Sequence, residues 1–295
     1  MRRASVVMSK GRQRGTPRFP LYGWLGGMLI LVFWALNWSL DGLRTHWGFF
    51  PLWLGYCLAV DAVVRYRKGT SLLTRNARAY MALFLLSVPA WWLFEFINGY
   101  TQNWHYQGRE DFTGLQFFLF SSLSFSTVMP AVFGTAELVG TFRWTAALER
   151  GPRIGARPAL SMGIFCAGLL MFWSLIAWPR YCFPLVWVSV LCILDPINLW
   201  LRHRSLFRYV AEGNWKPVMS LSIGCLICGF FWELWNFYSY PRWIYEVPFV
   251  DFLHIFEMPL LGYGGYLPFS LELLAIYNFV TGLLRIDRAD AFIRF

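Results

Sequence analysis

The chain is 295 residues long, 57% apolar and only 14% charged, with a mean hydropathy of +0.45. Soluble globular domains carry nearer a quarter charged residues, so this composition excludes one and implies an integral membrane protein. A net charge of +10 would suit nucleic acid, but the placement of the basic residues along the chain speaks against it.

Residues 1–20 form a basic tail in which Arg2, Arg3, Lys10, Arg12, Arg14 and Arg18 precede an apolar run. That run is about 20 residues long and lacks a small-x-small cleavage site, so it reads as a first span, 21–40, and not as a secretory signal peptide. Further segments long enough to cross about 30 Å of hydrocarbon follow at 47–64, 79–97, 113–139, 159–179, 181–201, 217–239 and 252–282. The expected fold is all-α, with eight transmembrane helices. In the last segment, the stretch from Gly262 to Pro268 predicts a break into a short outer piece and a true span.

The N-terminal tail, the connections 65–78, 140–158 and 202–216, and the tail 285–295 carry 6, 5, 4, 4 and 3 Lys or Arg; the alternate connections hold Arg44, Arg109, Arg180 and Arg242. Basic residues gather on the cytoplasmic side, so both termini are expected there, in agreement with an even number of spans. The basic segments mark topology and contact anionic lipid at the cytoplasmic face, with no nucleic acid as partner. The expected setting is a bacterial inner membrane. Cys57, Cys166, Cys182, Cys192, Cys225 and Cys228 all fall in or beside apolar spans and read as packing residues, including the Cys225-x-x-Cys228 pair, which has neither a second pair nor a neighbouring histidine.

A duplication runs through the chain. Trp91-Trp92-Leu93-Phe94-Glu95-Phe96-Ile97-Asn98-Gly99-Tyr100 is matched by Phe230-Phe231-Trp232-Glu233-Leu234-Trp235-Asn236-Phe237-Tyr238, with Glu, Asn and Tyr all displaced by 138 positions. Trp104-x-Tyr106 follows the first copy as Trp243-x-Tyr245 follows the second. Phe33-Trp34-Ala35-Leu36, Phe50-Pro51-Leu52, Asp61 and Pro130 pair with Phe172-Trp173-Ser174-Leu175, Phe183-Pro184-Leu185, Asp195 and Pro268. These matches predict two tandem four-helix repeats, 21–145 and 159–284, joined by a cytoplasmic linker at 146–158. Four crossings return the chain to its starting side, so the repeats should share one orientation about a pseudo-twofold axis along the membrane normal. Their interface is the natural place for a site.

Glu95 and Glu233 end long apolar segments, where an ionisable group is costly unless paired, protonated or facing a cavity. They are the leading catalytic candidates. Asn98 and Asn236, three positions on, share a helix face with them and are expected to orient the carboxyls or a ligand. Trp92, Tyr100, Trp104, Trp232, Trp235, Tyr238, Trp243 and Tyr245 are the candidate substrate-binding aromatics. An interfacial belt explains Trp and Tyr at span ends, but not a carboxyl at the centre of both clusters. Apolar surroundings disfavour an ionised carboxyl, and ring faces stabilise cations, carbocations included. Acid and aromatic box together suit proton-initiated chemistry on a polyene. Asp61, with Arg65 at i+4, and Asp195, before Pro196, read as structural. Asp251, His254 and Glu257, spaced by three, would share overlapping faces of a helix and offer a metal an N,O set; with a single histidine that reading is secondary, no metal is expected, and Glu257 is taken as a further acid or base. No cofactor is assigned.

Trp232-Glu233 followed by Asn236, Tyr238, Trp243-x-Tyr245, Pro248 and Phe256-Glu257-Met258-Pro259 is similar to the membrane lycopene cyclase domain, and Leu194-Asp195-Pro196 resembles the Asp-Pro element of the related membrane carotenoid hydratases. Glu257 stands alone where that domain has adjacent glutamates. The resemblance implies a helical membrane enzyme acting on a long isoprenoid by protonation at a carboxylic acid, of cyclase, hydratase or isomerase type. Its substrate would be a membrane lipid or polyene, with Glu233 and Glu95 as proton donor or cation stabiliser. Two alternatives stay open: a proton-coupled transporter whose halves rock about the same cavity, and a non-catalytic pigment-binding or assembly subunit. Oligomerisation or membership of a membrane complex is equally open.

Overall fold

The computed structural model describes residues 18–42, 45–155, 157–286 and 292–295. Most of the basic N-terminal tail, Arg44, and Arg288 of the C-terminal tail lie outside the described residues. The elements run α1 Leu21–Ser39, α2 Thr45–Lys68, α3 Leu72–Arg75, α4 Ala77–Thr101, β1 Trp104–Gln107, α5 Gly114–Phe125, α6 Val128–Gly140, α7 Pro158–Ala177 and α8 Pro179–Cys182. They continue with α9 Val186–Trp200, α10 Leu206–Ala211, α11 Lys216–Phe237, β2 Arg242–Tyr245, β3 His254–Ile255, β4 Met258–Pro259 and α12 Tyr266–Leu283.

Among the described residues, eight helical segments are long and apolar enough to cross a membrane, and their bounds follow the expected spans to within a few residues at seven of the eight. The exception is the last. The expected span 252–282 starts instead at Leu260, with a 3-10 segment Leu260–Gly265 leading into α12, and the residues before it form the β3–β4 hairpin. The fourth segment is divided. Ser126 and Thr127 turn their hydroxyls back onto the carbonyls of Leu123 and Ser124 at 2.6 and 2.8 Å, competing with the helical ladder between α5 and α6.

α1 packs on α2, and α7 packs on α9. In each outer helix only 17% of the apolar window is buried, so most of their surface suits lipid. Further in, α2 and α4 pack on α6, as α9 and α11 pack on α12, and the contact between α6 and α11 joins the two sets. Small residues let these helices approach closely. A Cβ on Gly26 would lie 2.7 Å from the Gly55 carbonyl oxygen, and one on Gly224 would lie 2.7 Å from the Ala136 amide nitrogen. Gly224→Val is therefore expected to force α6 and α11 apart and cost about 1–3 kcal/mol, whereas Gly27→Ala, where a Cβ meets nothing within 4 Å, should be tolerated. Thermal unfolding of the two variants in detergent compares them directly; equal midpoints would refute the steric account.

The two aspartates act on connections. Asp61 accepts hydrogen bonds from the Tyr22 hydroxyl at 2.8 Å and the Leu73 amide at 3.0 Å, and Asp195 accepts from the amides of Leu206 and Phe207 at 2.8 and 3.0 Å. Each carboxylate thus holds the start of a short helix, α3 or α10, in place of the i+4 pairing or proline bend expected. At the same end of the molecule, Phe292–Phe295 folds back against the first helices. Glu137, fully buried, pairs with Arg75, 9% exposed, and accepts from the Arg294 amide at 2.6 Å. Arg75 also donates to the Phe292 carbonyl at 2.8 and 3.1 Å, and Lys68 Nζ to the Arg294 carbonyl at 2.5 Å.

Candidate functional site

At the opposite end of α4 and α11 lies a cavity of about 160 Å³. Its polar lining is sparse; most of the wall is aromatic, including Phe49, Trp91, Trp104, Phe117, Trp187 and Trp232. Two strands cover it. β1 pairs antiparallel with β2, placing Trp104 opposite Tyr245 and Tyr106 opposite Trp243, and all four rings line the cavity.

Both strands are held by the asparagines. Asn98 Nδ2 donates to the Trp104 carbonyl at 2.7 Å while its Oδ1 accepts from the amides of Asn103 and Trp104 at 2.9 and 3.3 Å. Asn236 repeats the arrangement on Trp243, donating at 2.7 Å and accepting at 3.0 Å. The expectation that these amides orient the carboxyls is thus corrected: both polar atoms of each side chain serve strand backbone. They act on the site by fixing the Trp-x-Tyr strands.

Glu95 and Glu233 stand directly behind the cavity wall. Trp91 and Trp104 Nε1 donate to Glu95 Oε1 at 2.9 and 3.1 Å, and the Tyr106 hydroxyl donates to the same oxygen at 2.5 Å. Glu233, 0% exposed, receives the hydroxyls of Tyr245 at 2.8 Å and Tyr266 at 2.6 Å, again on Oε1. All five donor side chains line the cavity. Burial first, and then the neighbouring glutamate, pushes the phenols of Tyr106 and Tyr245 well above their ordinary pKa, which keeps them protonated as donors. A carboxyl behind a wall of phenols and indoles can exchange a proton with an apolar guest without opening to water.

Of the expected aromatics, Trp104, Trp232, Trp243 and Tyr245 line the cavity. The other four do not. Trp92 stacks on Phe118 and donates to Ser122, Trp235 is buried against Trp53 and Phe231, Tyr238 packs edge-on to Trp38, and Tyr100 lies exposed beside Phe96. Sequence reasoning missed Trp91, Tyr106, Trp187 and Tyr266. Trp91 had a signal, since it precedes Glu95 by one helical turn, and Tyr106 belongs to the duplicated Trp-x-Tyr; Trp187, on α9, and Tyr266, at the start of α12, reach the site only through tertiary packing.

The asymmetric acids take other roles. Asp251, His254 and Glu257 fall on the hairpin region and not on a helix, with Leu253 and Phe256 at positive φ. His254 pairs with Asp251 at 2.8 Å, while Glu257 accepts from Arg242 at 2.6 Å, so the three side chains do not converge. Among the described residues no group of three metal-ligating side chains forms, and the secondary metal reading loses its geometric basis. Glu257 does not line the cavity; it positions Arg242, which does and which also donates to Gln107 at 3.1 Å and the Phe237 carbonyl at 2.7 Å. Glu272, another buried carboxyl, accepts from the Val190 and Leu191 amides at 3.1 and 3.3 Å and joins α12 to α9.

No family model, curated protein or solved structure matches this chain.

Proposed function

We propose that this protein is a membrane enzyme that protonates one end of an isoprenoid-like lipid, with Glu95 and Glu233 as the acids. The observation that carries this reading is a buried carboxyl, Glu233, and a half-buried one, Glu95, each held by ring donors, behind one aromatic cavity. A cavity of about 150 Å³ takes a benzene-sized guest, so 160 Å³ suits a single isoprenoid end group, with the rest of the chain left in lipid. Relayed through the Tyr106 or Tyr245 hydroxyl that stands between it and the cavity, the proton of a carboxylic acid adds to the terminal C=C, the new C–H bond leaving a tertiary carbocation that the ring faces stabilise. By the same hydroxyl the carboxylate left behind then takes a proton from an adjacent carbon as the new C=C forms, closing an isomerisation or a cyclisation without net change in composition. Loose similarity to membrane lycopene cyclases and carotenoid hydratases supports the substrate class.

The same reading treats the chain as two tandem halves of one orientation with both termini cytoplasmic and the cavity toward the outer leaflet. Matching hydrogen bonds at Asn98 and Asn236, at Glu95 and Glu233, and at Asp61 and Asp195 support it, as do the matching helix contacts. Membranes containing the protein, incubated in D2O with an acyclic polyene, are expected to place deuterium in the lipid product, read by mass spectrometry. Absence of label together with vectorial movement of the lipid in proteoliposomes would replace the enzyme with the transporter.

A further inference from the structure

The donors around the two acids differ in kind. Glu95 is held by the indoles of Trp91 and Trp104 at 2.9 and 3.1 Å and by one phenol, Tyr106, at 2.5 Å. Glu233 takes two phenols on one oxygen, Tyr245 at 2.8 Å and Tyr266 at 2.6 Å, with the Trp243 indole beside them. The difference traces to two positions. Gly229 stands 138 positions after Trp91, and Tyr266 stands 138 after Val128. A Cβ on Gly229 would run into the Tyr266 ring, so the absence of an indole there leaves the space that this phenol fills. In the first half α4 supplies its own donor to Glu95, one turn before it; in the second, α11 gives up that place to a tyrosine from α12. The exchange is chemical as well as steric. An indole N–H can only donate, whereas a phenol gives its proton and accepts another on the same oxygen.

We propose that Glu233, Tyr245 and Tyr266 form the proton shuttle of this site, one phenol delivering the proton and the other retrieving it, while Glu95 moves none and steadies the cation as a fixed carboxylate. The inference rests on the isoprenoid reading of this same cavity and assigns its two acids different work. Isomerisation and cyclisation each add a proton at one carbon and remove one from another. A carboxyl with a single phenol has one outlet and can only take back a proton where it gave one; a carboxyl with two phenols reaches two places. Tyr245 opens on the cavity from β2 and Tyr266 from the start of α12. In the forward step the O–H bond of one phenol breaks as its proton joins the terminal C=C, whose electron pair becomes the new C–H bond. That phenol oxygen takes the proton of Glu233, leaving a carbocation and a carboxylate. In the return step the second phenol accepts a proton from an adjacent carbon and hands its own to Glu233. The C–H electron pair becomes the new C=C, and the acid is restored.

The test uses membranes containing the full-length protein, incubated in D2O with an acyclic polyene, and mass spectrometry reads both the product and the recovered polyene. The wild type is expected to form deuterium-labelled product. Tyr245→Phe and Tyr266→Phe each leave one phenol on Glu233 and should form about 100-fold less product, the worth of a general acid or base. Their recovered polyene should nevertheless carry deuterium, because the remaining phenol still adds and removes a proton at one carbon. Tyr106→Phe should lower product about tenfold or less, the worth of one hydrogen bond to Glu95. The paired variant Gly229→Trp, Tyr266→Val gives the second half the residues of the first without opening a void. It should behave as Tyr266→Phe does, with an unfolding midpoint near wild type. Loss of product and label together in both tyrosine variants would make the phenols structural and overturn the inference. Full product from Tyr266→Phe, or a loss at Tyr106→Phe as large as at Tyr266→Phe, would also overturn it and leave the enzyme reading standing. If the wild type neither converts nor labels the polyene, the enzyme reading fails first and the inference falls with it.

Discussion

The double variant Glu95→Gln, Glu233→Gln is expected to remain folded and to lose about 100-fold or more of the proton transfer proposed for these acids. Glutamine keeps the volume of glutamate, and its amide oxygen can accept the same phenol and indole donors that now converge on each Oε1. The amide nitrogen would take the place of Oε2, which in Glu233 has no partner to lose. What disappears is the exchangeable carboxyl proton. Deuterium incorporation measures the loss, and the thermal unfolding midpoint, expected close to wild type, separates it from misfolding. Undiminished label in the double variant would reduce the two acids to architecture.

Glu137→Ala should cause the largest fall in stability. Glu137 is 0% exposed and its partner Arg75 is 9% exposed, so removal of the carboxylate strands a buried guanidinium. Breaking one side of a buried pair costs about 3–5 kcal/mol, more than the pair contributes over apolar residues of similar shape. The double variant Arg75→Met, Glu137→Leu should therefore recover most of the loss. Arg75 also holds the Phe292 carbonyl and Glu137 the Arg294 amide, so the single variant should make the segment 292–295 more susceptible to carboxypeptidase. Unfolding midpoints in detergent for the wild type, single and double variants check the sign of each step; a single variant as stable as the wild type would show that the pair has no structural role.

The spans were legible in the sequence because the constraint behind them is simple: about 30 Å of hydrocarbon demands an unbroken apolar run. The positions of Glu95 and Glu233 were legible for a related reason, the cost of a carboxyl in such a run. What helical spacing misjudged lay beyond the helix ends. Asn98 shares a face with Glu95, yet its amide is drawn to the backbone of the turn and strand that follow, where it meets three polar groups, the Trp104 carbonyl and the amides of Asn103 and Trp104. The spacing of three at Asp251, His254 and Glu257 reads as a helix face, but the hairpin region keeps His254 on Asp251 and turns Glu257 away onto Arg242. The cavity contributions of Trp187 and Tyr266 come from packing between distant segments, which local spacing does not encode.

The β1–β2 pair also bears on how the chain is made. Arg242 meets Gln107 from 135 positions further along, so during synthesis the first strand leaves its helix with no partner yet translated. Until α11 has entered the bilayer and β2 has emerged, the backbone of β1 is an open edge, the kind of surface that recruits other extended chains. A ribosome stalled after α10 would leave behind an insertion intermediate with Glu95, Trp91 and Trp104 translated but no second strand beside them, a form open to quality-control proteases and neighbouring nascent chains.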